Sequence, residues 1–216
     1  MANKIVFTGI DTDFGEQFIE KALKKGNSVC ATRNPESELV EKLAMRENLI
    51  VQPWNKRSPI SVRNVFLTAY NKMDAVDEVF IYYTAMQSYA AFHEMSMADI
   101  EETVDSHIKA YSFMAREALA YFQKRRKGSL FFILHSRGYG YLPPIASAMY
   151  QGVKGLADNI ITYYKKEPML CAGFECTTEE NEPAIDFINR IIEQKQQKVD
   201  GKWYTWSGKP KLFPFG

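Results

Sequence analysis

Net charge is nearly absent from this sequence: 27 lysines and arginines stand against 26 aspartates and glutamates, leaving +1 at neutral pH. So even a balance gives no electrostatic reason to expect nucleic acid or an anionic membrane as partner. The one dense basic cluster, Lys124-Arg125-Arg126-Lys127, follows a long helical pattern and precedes Gly128. It reads as cations at a helix C-terminus before a glycine cap. Cysteine is scarce too. Cys30, Cys171 and Cys176 have no metal-ligand spacing and no paired framework, so neither a metal site nor a disulfide scaffold is expected. No apolar run approaches the roughly 20 residues that a membrane span needs. The N-terminal segment enters a strand at Lys4 without the apolar core of a signal peptide. These absences predict a cytoplasmic protein with no membrane association.

What is present is alternation. The 216 residues, 46% hydrophobic and 25% charged, suffice for one well-buried domain and are too few for two comfortable ones. Strand patterns fall at Ile5–Thr8, Ser28–Thr32, Leu49–Val51, Val79–Tyr82, Ser129–Leu134, Met169–Phe174 and Trp203–Trp206. Between them lie helical patterns near 14–25, 34–43, 62–70, 97–126, 146–166 and 183–194, with N-cap signals at Asn34-Pro35 and Ser96-x-x-Asp99. Apolar strands separated by helices imply an α/β fold: a doubly wound parallel sheet covered on both faces. No repeat or linker divides the chain, so residues 1–216 form a single domain. Such sheets bind ligands beyond the carboxyl ends of their strands, at the topological switch point.

Two local patterns carry candidate chemistry. The first strand runs into Thr8-Gly9-Ile10-Asp11-Thr12-Asp13-Phe14-Gly15 and then a helix. A glycine turn at a helix N-terminus offers free N–H groups to a pyrophosphate, but glycines also serve any tight turn. Tyr150-Gln151-Gly152-Val153-Lys154 places a phenol and an ammonium at i and i+4 on one helix face. A phenol ionises near pH 10 and needs a neighbouring cation to work as an acid or base at neutral pH; the alternative is an ordinary exposed helix pair. Ser136 stands at the end of the fifth strand, 14 residues before the tyrosine. The adjacent His135 should point to the opposite face by strand alternation.

These residues together resemble the short-chain dehydrogenase/reductase family, in chain order over roughly residues 4 to 177. The turn is similar to the family's T-G-x-x-x-G-x-G, with Thr8, Gly9 and Gly15 in register. Asp13 stands where the middle glycine belongs, and either turns outward or caps the helix. Gly173-Phe174-Glu175-Cys176-Thr177 resembles the P-G-x-x-x-T loop that holds the nicotinamide carboxamide, with Ala172 in place of the proline. The resemblance implies a Rossmann-like fold and a nicotinamide cofactor. By it, Tyr150 exchanges the proton, Lys154 lowers the tyrosine pKa and holds the nicotinamide ribose, and Ser136 polarises the substrate. The cofactor contacts it implies are Thr8, Gly9, Asp11, Thr12, Asp13, Phe14, Gly15, Arg33, Asn55, Thr84, Ala85, Tyr150, Lys154, Gly173 and Thr177.

The sequence departs from the family at several points. Tyr82-Tyr83-Thr84-Ala85 replaces N-N-A-G at the end of the fourth strand. His107 replaces the asparagine that relays protons to the lysine; it either takes over that relay or packs between helices. The adenine-contacting aspartate after the third strand is absent from Pro53-Trp54-Asn55, where Asn55 is the substitute. No acid ends the second strand; Arg33 there favours a 2′-phosphate, hence NADP(H) over NAD(H).

The expected substrate rim comprises Met86, Tyr89, Tyr139, Tyr141 and Leu142, with only a short lid around 178–183. The helices of His107 and Tyr150 form the usual dimer face of the family, which implies a homodimer or homotetramer. The aromatic segments Trp203-Tyr204-Thr205-Trp206 and Leu212-Phe213-Pro214-Phe215 should pack on the core or on a neighbouring subunit. The function so implied is NADP-dependent exchange of carbonyl and alcohol, or reduction of a quinone-like ring. A non-catalytic nucleotide sensor or interaction module is the alternative.

Overall fold

Ile5, Val6, Phe7 and Thr8 are all buried, the pattern of a strand covered on both faces. They belong to β1 (Lys4–Thr8), an inner strand of a seven-stranded sheet ordered β3-β2-β1-β4-β5-β6-β7. In this computed structural model residues 2–36, 46–85, 90–137, 141–194 and 199–208 are described. The other strands are β2 (Ser28–Arg33), β3 (Leu49–Pro53), β4 (Glu78–Thr84), β5 (Ser129–His135), β6 (Leu170–Cys176) and β7 (Lys202–Trp206). Every neighbouring pair is parallel. Strand order reverses direction between β1 and β4, which opens a crevice at their carboxyl ends. The expected single-domain Rossmann-like architecture is therefore the observed one.

The helices lie on both faces. On one face α1 (Asp13–Lys24) packs on α6 (Asn181–Ile192), over a core that includes Phe7, Phe14, Phe80 and Phe174. On the other lie α2 (Pro59–Met73), α3 (Met97–Val104), α4 (Ala110–Arg125) and α5 (Pro144–Tyr163), over Val6, Ile81, Tyr83, Phe132 and Tyr150. Local chemistry starts these helices. Thr12 caps α1, Ser58 caps α2 with Pro59 in its first turn, and Ser96 and Asp99 form a reciprocal capping box on α3. Among the described residues no helix is long and apolar enough to cross a membrane.

Several boundaries differ from the sequence pattern. The helix expected over 97–126 is interrupted by a π-helical turn at Asp105–Lys109, which separates α3 from α4. One extra residue per turn does not disturb apolar periodicity enough to be seen in sequence. After α4 it is Arg126, not Gly128, that takes the left-handed capping position, with φ 54°. β6 extends to Cys176, two residues past its expected end at Phe174. The helix expected over 34–43 lies outside the described residues from 37 onward, as does 212–215. β7 behaves as its aromatics suggested: Trp203 packs on one core, and Tyr204 and Trp206 on the other.

Candidate active site

The glycine turn after β1 is held by its own backbone. Gly9 adopts φ +88°, which L side chains rarely take, and its N–H and that of Ile10 donate to Thr32 O at 3.2 and 3.0 Å. A Cβ on Gly15 would lie 2.0 Å from Gly9 O, so the helix can close on the turn only with glycine there. Thr12 clips the two together: its Oγ1 donates to Gly9 O at 2.8 Å and accepts from Gly15 N at 3.0 Å. The helix cap is thus Thr12. Asp13 is the first helical residue and is exposed, so it turns outward and does not cap. Thr8 lies deeper, its hydroxyl accepting from Tyr82 N at 2.8 Å.

Phe14 is fully buried, its ring flat on Tyr82 with centroids 4.6 Å apart, so it packs in the core and does not line the cavity beside the turn. Asp11 accepts from Asn34 N at 2.9 Å and so braces the loop after β2. Arg33 donates from Nη1 to the carbonyls of Asn34 and Pro35, both at 3.3 Å, which folds its guanidinium along that loop.

Beyond the turn is a cavity of about 340 Å³ at the switch point. Gly9, Asp11, Thr12, Arg33 and Thr84 line it together with Trp54, Lys56, Tyr82, His107 and Tyr111. Lys56, Trp54 and Tyr111 escaped the motif reading. Lys56 Nζ stands 5.7 Å from the ring centroids of both Trp54 and Tyr111, a cation between two aromatic faces. Asn55 borders an adjoining cavity, where its Oδ1 accepts from Arg57 N at 3.0 Å. Ala85 is buried at the end of β4.

Alternation along β4 and β5 divides the next residues between the two faces. Tyr82 Oη meets His135 Nδ1 at 3.1 Å, and His135 Nε2 meets Thr178 O at 2.6 Å. A carbonyl only accepts, so Nε2 carries the proton and Nδ1 accepts from the tyrosine. Burial lowers the His135 pKa, which keeps the ring neutral. This group faces α1, away from the helix bearing Tyr150, as alternation predicted. On the opposite face Tyr83 packs edge-on to His107 and Tyr111, centroids 5.6 and 5.0 Å away, and leans on Tyr150 at 6.1 Å. His107 lies in the π-turn. Burial first, then the Lys56 charge, pushes its pKa down to about 4. The structure sets His107 against Tyr83 and beside Lys56.

Tyr150 is buried on α5, and its Oη donates to Glu175 Oε1 at 3.2 Å. Lys154 Nζ reaches both oxygens of the same carboxylate at 2.9 Å. Burial first, then the Glu175 charge, holds the Tyr150 phenol well above its ordinary ionisation range. The expectation was a phenol drawn down by Lys154; here the carboxylate opposes the ammonium. In sequence Glu175 occupies only an unspecified position of the P-G-x-x-x-T resemblance.

β6 runs through Glu175 to Cys176, so this stretch is strand and not loop. Gly173 stands mid-strand, where a Cβ would lie 2.4 Å from the Trp203 ring. It is therefore a packing glycine inside the sheet and not part of a loop at the strand end. Thr177 does follow the strand, and its Oγ1 donates to Trp206 O at 3.3 Å. The connection from β6 to α6 covers only 177–180, with Pro183 already in the first turn of α6; the segment over the site is short. Ser136 is half-buried just past β5, with its N–H on Cys176 O at 3.0 Å. Of the expected rim, Tyr141 is exposed and Leu142 half-buried against the core; Met86, Tyr89 and Tyr139 lie outside the described residues.

A family model for short chain dehydrogenases matches residues 3–167. The chain belongs to the short chain dehydrogenase family. Among solved structures it is similar to an apo SCOR enzyme from Clostridium thermocellum, at 14% identity and TM-score 0.77, with 95% of this chain and 91% of that one covered. It is also similar to a short-chain dehydrogenase from Streptomyces avermitilis, at 13% identity and TM-score 0.79, covering 96% and 89%. Likenesses this remote establish the shared fold. A comparison with curated proteins finds no match.

Short chain dehydrogenases are oxidoreductases that use NAD(P), and the residues present can be tested against that group. The adenosine side fits. A glycine turn closed to backbone contact feeds a helix N-terminus, and the cavity beside it is walled by aromatic rings and a lysine. On the nicotinamide side Lys154 is engaged by Glu175, so a ribose hydroxyl there would share or replace that bond.

Proposed function

We propose that this protein is an NADP-dependent oxidoreductase interconverting a carbonyl and an alcohol, or reducing a quinone-like ring, with Tyr150 as the proton-exchanging group. One observation carries the reading. Tyr150 Oη and Lys154 Nζ converge on a single oxygen, at 3.2 and 2.9 Å, so the two groups reach the same atom-sized position. A phenol and an ammonium that share one oxygen can share a reacting or ribose oxygen in the same way.

The cofactor, when bound, supplies or removes the hydride. The chain's residues do the rest. The backbone between Asp11 and Asp13, at the start of α1, receives the diphosphate. Trp54 and Tyr111 wall the adenosine cavity, while Arg33 and Lys56 supply positive charge for a 2′-phosphate. Asn55, Thr84 and Ala85 border the same end, and Thr177 stands at the other. Ser136 orients the substrate carbonyl from the end of β5. Tyr150 passes its proton to the substrate oxygen or takes one from it. The substrate is a small carbonyl or alcohol, and the working form is a cytoplasmic homodimer or homotetramer built on the helices that carry His107 and Tyr150.

A second reading, a nucleotide sensor without turnover, is favoured by the Lys154–Glu175 pair and by Asp13 at the diphosphate turn. NADPH and NADH titrations by fluorescence, followed by a panel of ketones and quinones, separate the two. NADPH oxidation that Tyr150→Phe reduces by about 10² to 10⁴ supports the enzyme and excludes the sensor. Absence of binding by either nucleotide at millimolar concentration refutes the enzyme. Tighter binding of NADH than NADPH refutes the role of Arg33 and Lys56.

A further inference from the structure

We propose that Glu175 is a positioning residue that keeps Tyr150 a neutral phenol by pairing with Lys154, and so sets the site to give a proton to a carbonyl. The direction rests on the oxidoreductase reading above; the hold on Tyr150 does not.

The geometry is that of a closed charge pair with the phenol attached. Both Glu175 oxygens lie 2.9 Å from Lys154 Nζ, and one of them accepts the Tyr150 hydrogen at 3.2 Å. Neither partner is free in solvent: the side chains of Lys154 and Glu175 are 30% and 22% exposed. An ammonium alone would stabilise phenolate. With a carboxylate on the same ammonium, ionising Tyr150 would place two anions on one cation.

Among the described residues Lys154 is the cation that shares a partner with Tyr150; Lys56 acts on His107, behind the Tyr83 ring. Against Tyr150 lie Glu175 from β6, which it shares with Lys154 of its own helix, and Tyr83 from β4, with His107 and Tyr111 behind that ring; Cys176 lies on the other face of β6. Burial pushes the Cys176 thiol up to about 12 and His107 down to about 4, so both are uncharged at neutral pH. Between Lys154 and Glu175 the charges are one plus and one minus.

The consequence is asymmetric for catalysis. In reduction, hydride from a dihydronicotinamide forms the new C–H bond, which oxidises the nicotinamide. The C=O π bond breaks, and the Tyr150 O–H proton moves to the oxygen to complete the alcohol. The phenolate then regains a proton from water. A phenol held neutral is ready for that transfer and is still a far stronger acid than the alcohol formed. Oxidation needs phenolate at the outset, and Glu175 depletes it.

The test begins on the cofactor-free protein, by ¹³C NMR of tyrosine labelled at Cζ. The Tyr150 signal is assigned by its loss in Tyr150→Phe. Glu175→Gln keeps the shape and removes the charge; Tyr150 should then ionise about two pH units lower than in the wild type, a hundredfold more phenolate at a given pH. Lys154→Met in the Glu175→Gln background should reverse the shift. Glu175→Asp retains the carboxylate and should retain the wild-type titration, which keeps the proposal testable if the glutamine variant unfolds. Unchanged Tyr150 ionisation in Glu175→Gln, or ionisation in Glu175→Asp as early as in a variant without the carboxylate, overturns the hold.

Activity then tests direction. Glu175→Gln should raise the ratio of alcohol oxidation to carbonyl reduction at pH 7 by about tenfold or more, from the larger phenolate fraction. An unchanged ratio overturns the direction. If no nucleotide binds, the direction falls with the oxidoreductase reading, and the NMR result still decides the hold.

Discussion

Phe14 lies flat against Tyr82, with ring centroids 4.6 Å apart and planes 7° from parallel. One ring belongs to the glycine turn's helix and the other to the strand end that departs from the family's N-N-A-G. Phe7 also stacks on Tyr82, at 6.1 Å, and Phe18 closes the cluster at 4.7 Å from Phe7 and 6.3 Å from Phe14. The tyrosine therefore braces the turn against the sheet, by ring packing and a hydroxyl bond to His135.

Tyr82→Phe keeps the stack and removes that bond, leaving the buried His135 Nδ1 without its donor. The expected loss is about 1–3 kcal/mol, read from urea unfolding. Phe14→Ala removes the stack itself and should cost about 3–5 kcal/mol. A phenylalanine variant as unstable as the alanine one would contradict this division of roles.

Two glycines should respond oppositely to alanine. Gly15→Ala forces a Cβ to within 2.0 Å of Gly9 O, a backbone atom that cannot swing away. It should destabilise by about 1–3 kcal/mol and weaken nucleotide binding as the turn opens. A Cβ on Gly155, one residue past Lys154 within α5, meets nothing within 4 Å. Gly155→Ala should stabilise by about 0.5–1 kcal/mol in thermal melts.

Lys56→Met removes the cation between Trp54 and Tyr111 while preserving most of the apolar stem. NADPH affinity should fall about tenfold or more, for loss of one charge-assisted contact. The wild type's salt dependence should flatten, and NADH affinity should change little. Equal losses for the two nucleotides would assign Lys56 to the adenine ring and not to the 2′-phosphate.

His107 and Glu78 should tilt the pH profile of stability in opposite senses. The His107 pKa is lowered from 6.5 to about 4, so the unfolded chain takes up a proton that the folded one refuses. Its contribution is complete above pH 6.5 and is lost as pH falls toward 4, by at most about 3 kcal/mol. Glu78 is raised from 4.5 to about 7, by burial first and then by Asp77. Its contribution is complete below pH 4.5 and is lost as pH rises toward 7. Relative to wild type, His107→Gln should gain stability as pH falls from 6.5 to 4, and Glu78→Gln should gain as pH rises from 4.5 to 7. Melts at three pH values across that range decide it; parallel profiles for all three proteins refute both assignments.

Most of the strand order's ingredients were legible in advance, because strands buried on both faces announce themselves as apolar runs. The glycine turn and the Tyr150–Lys154 pair were legible for a similar reason: each is set by spacing within one element. The π-turn at Asp105–Lys109 was not, since its added residue leaves the apolar stripe nearly in phase. The apolar pattern of β6 ends two residues before the strand does, and so small a difference moves Gly173 from the strand end to its middle.

The sequence by itself determined the doubly wound sheet, the closing of a helix on a glycine turn, and a phenol and ammonium one helical turn apart. Local periodicity and steric permission are enough for those. Only the tertiary structure decided what the phenol and ammonium meet. Glu175 comes from 25 residues beyond Tyr150, on a strand that passes beneath α5, and its side of the sheet depends on counting from the true strand end. Whether Lys154 serves Tyr150 or is claimed by a carboxylate is a matter of which strand lies under which helix, and of a few ångströms between charges. No spacing within a single element records that.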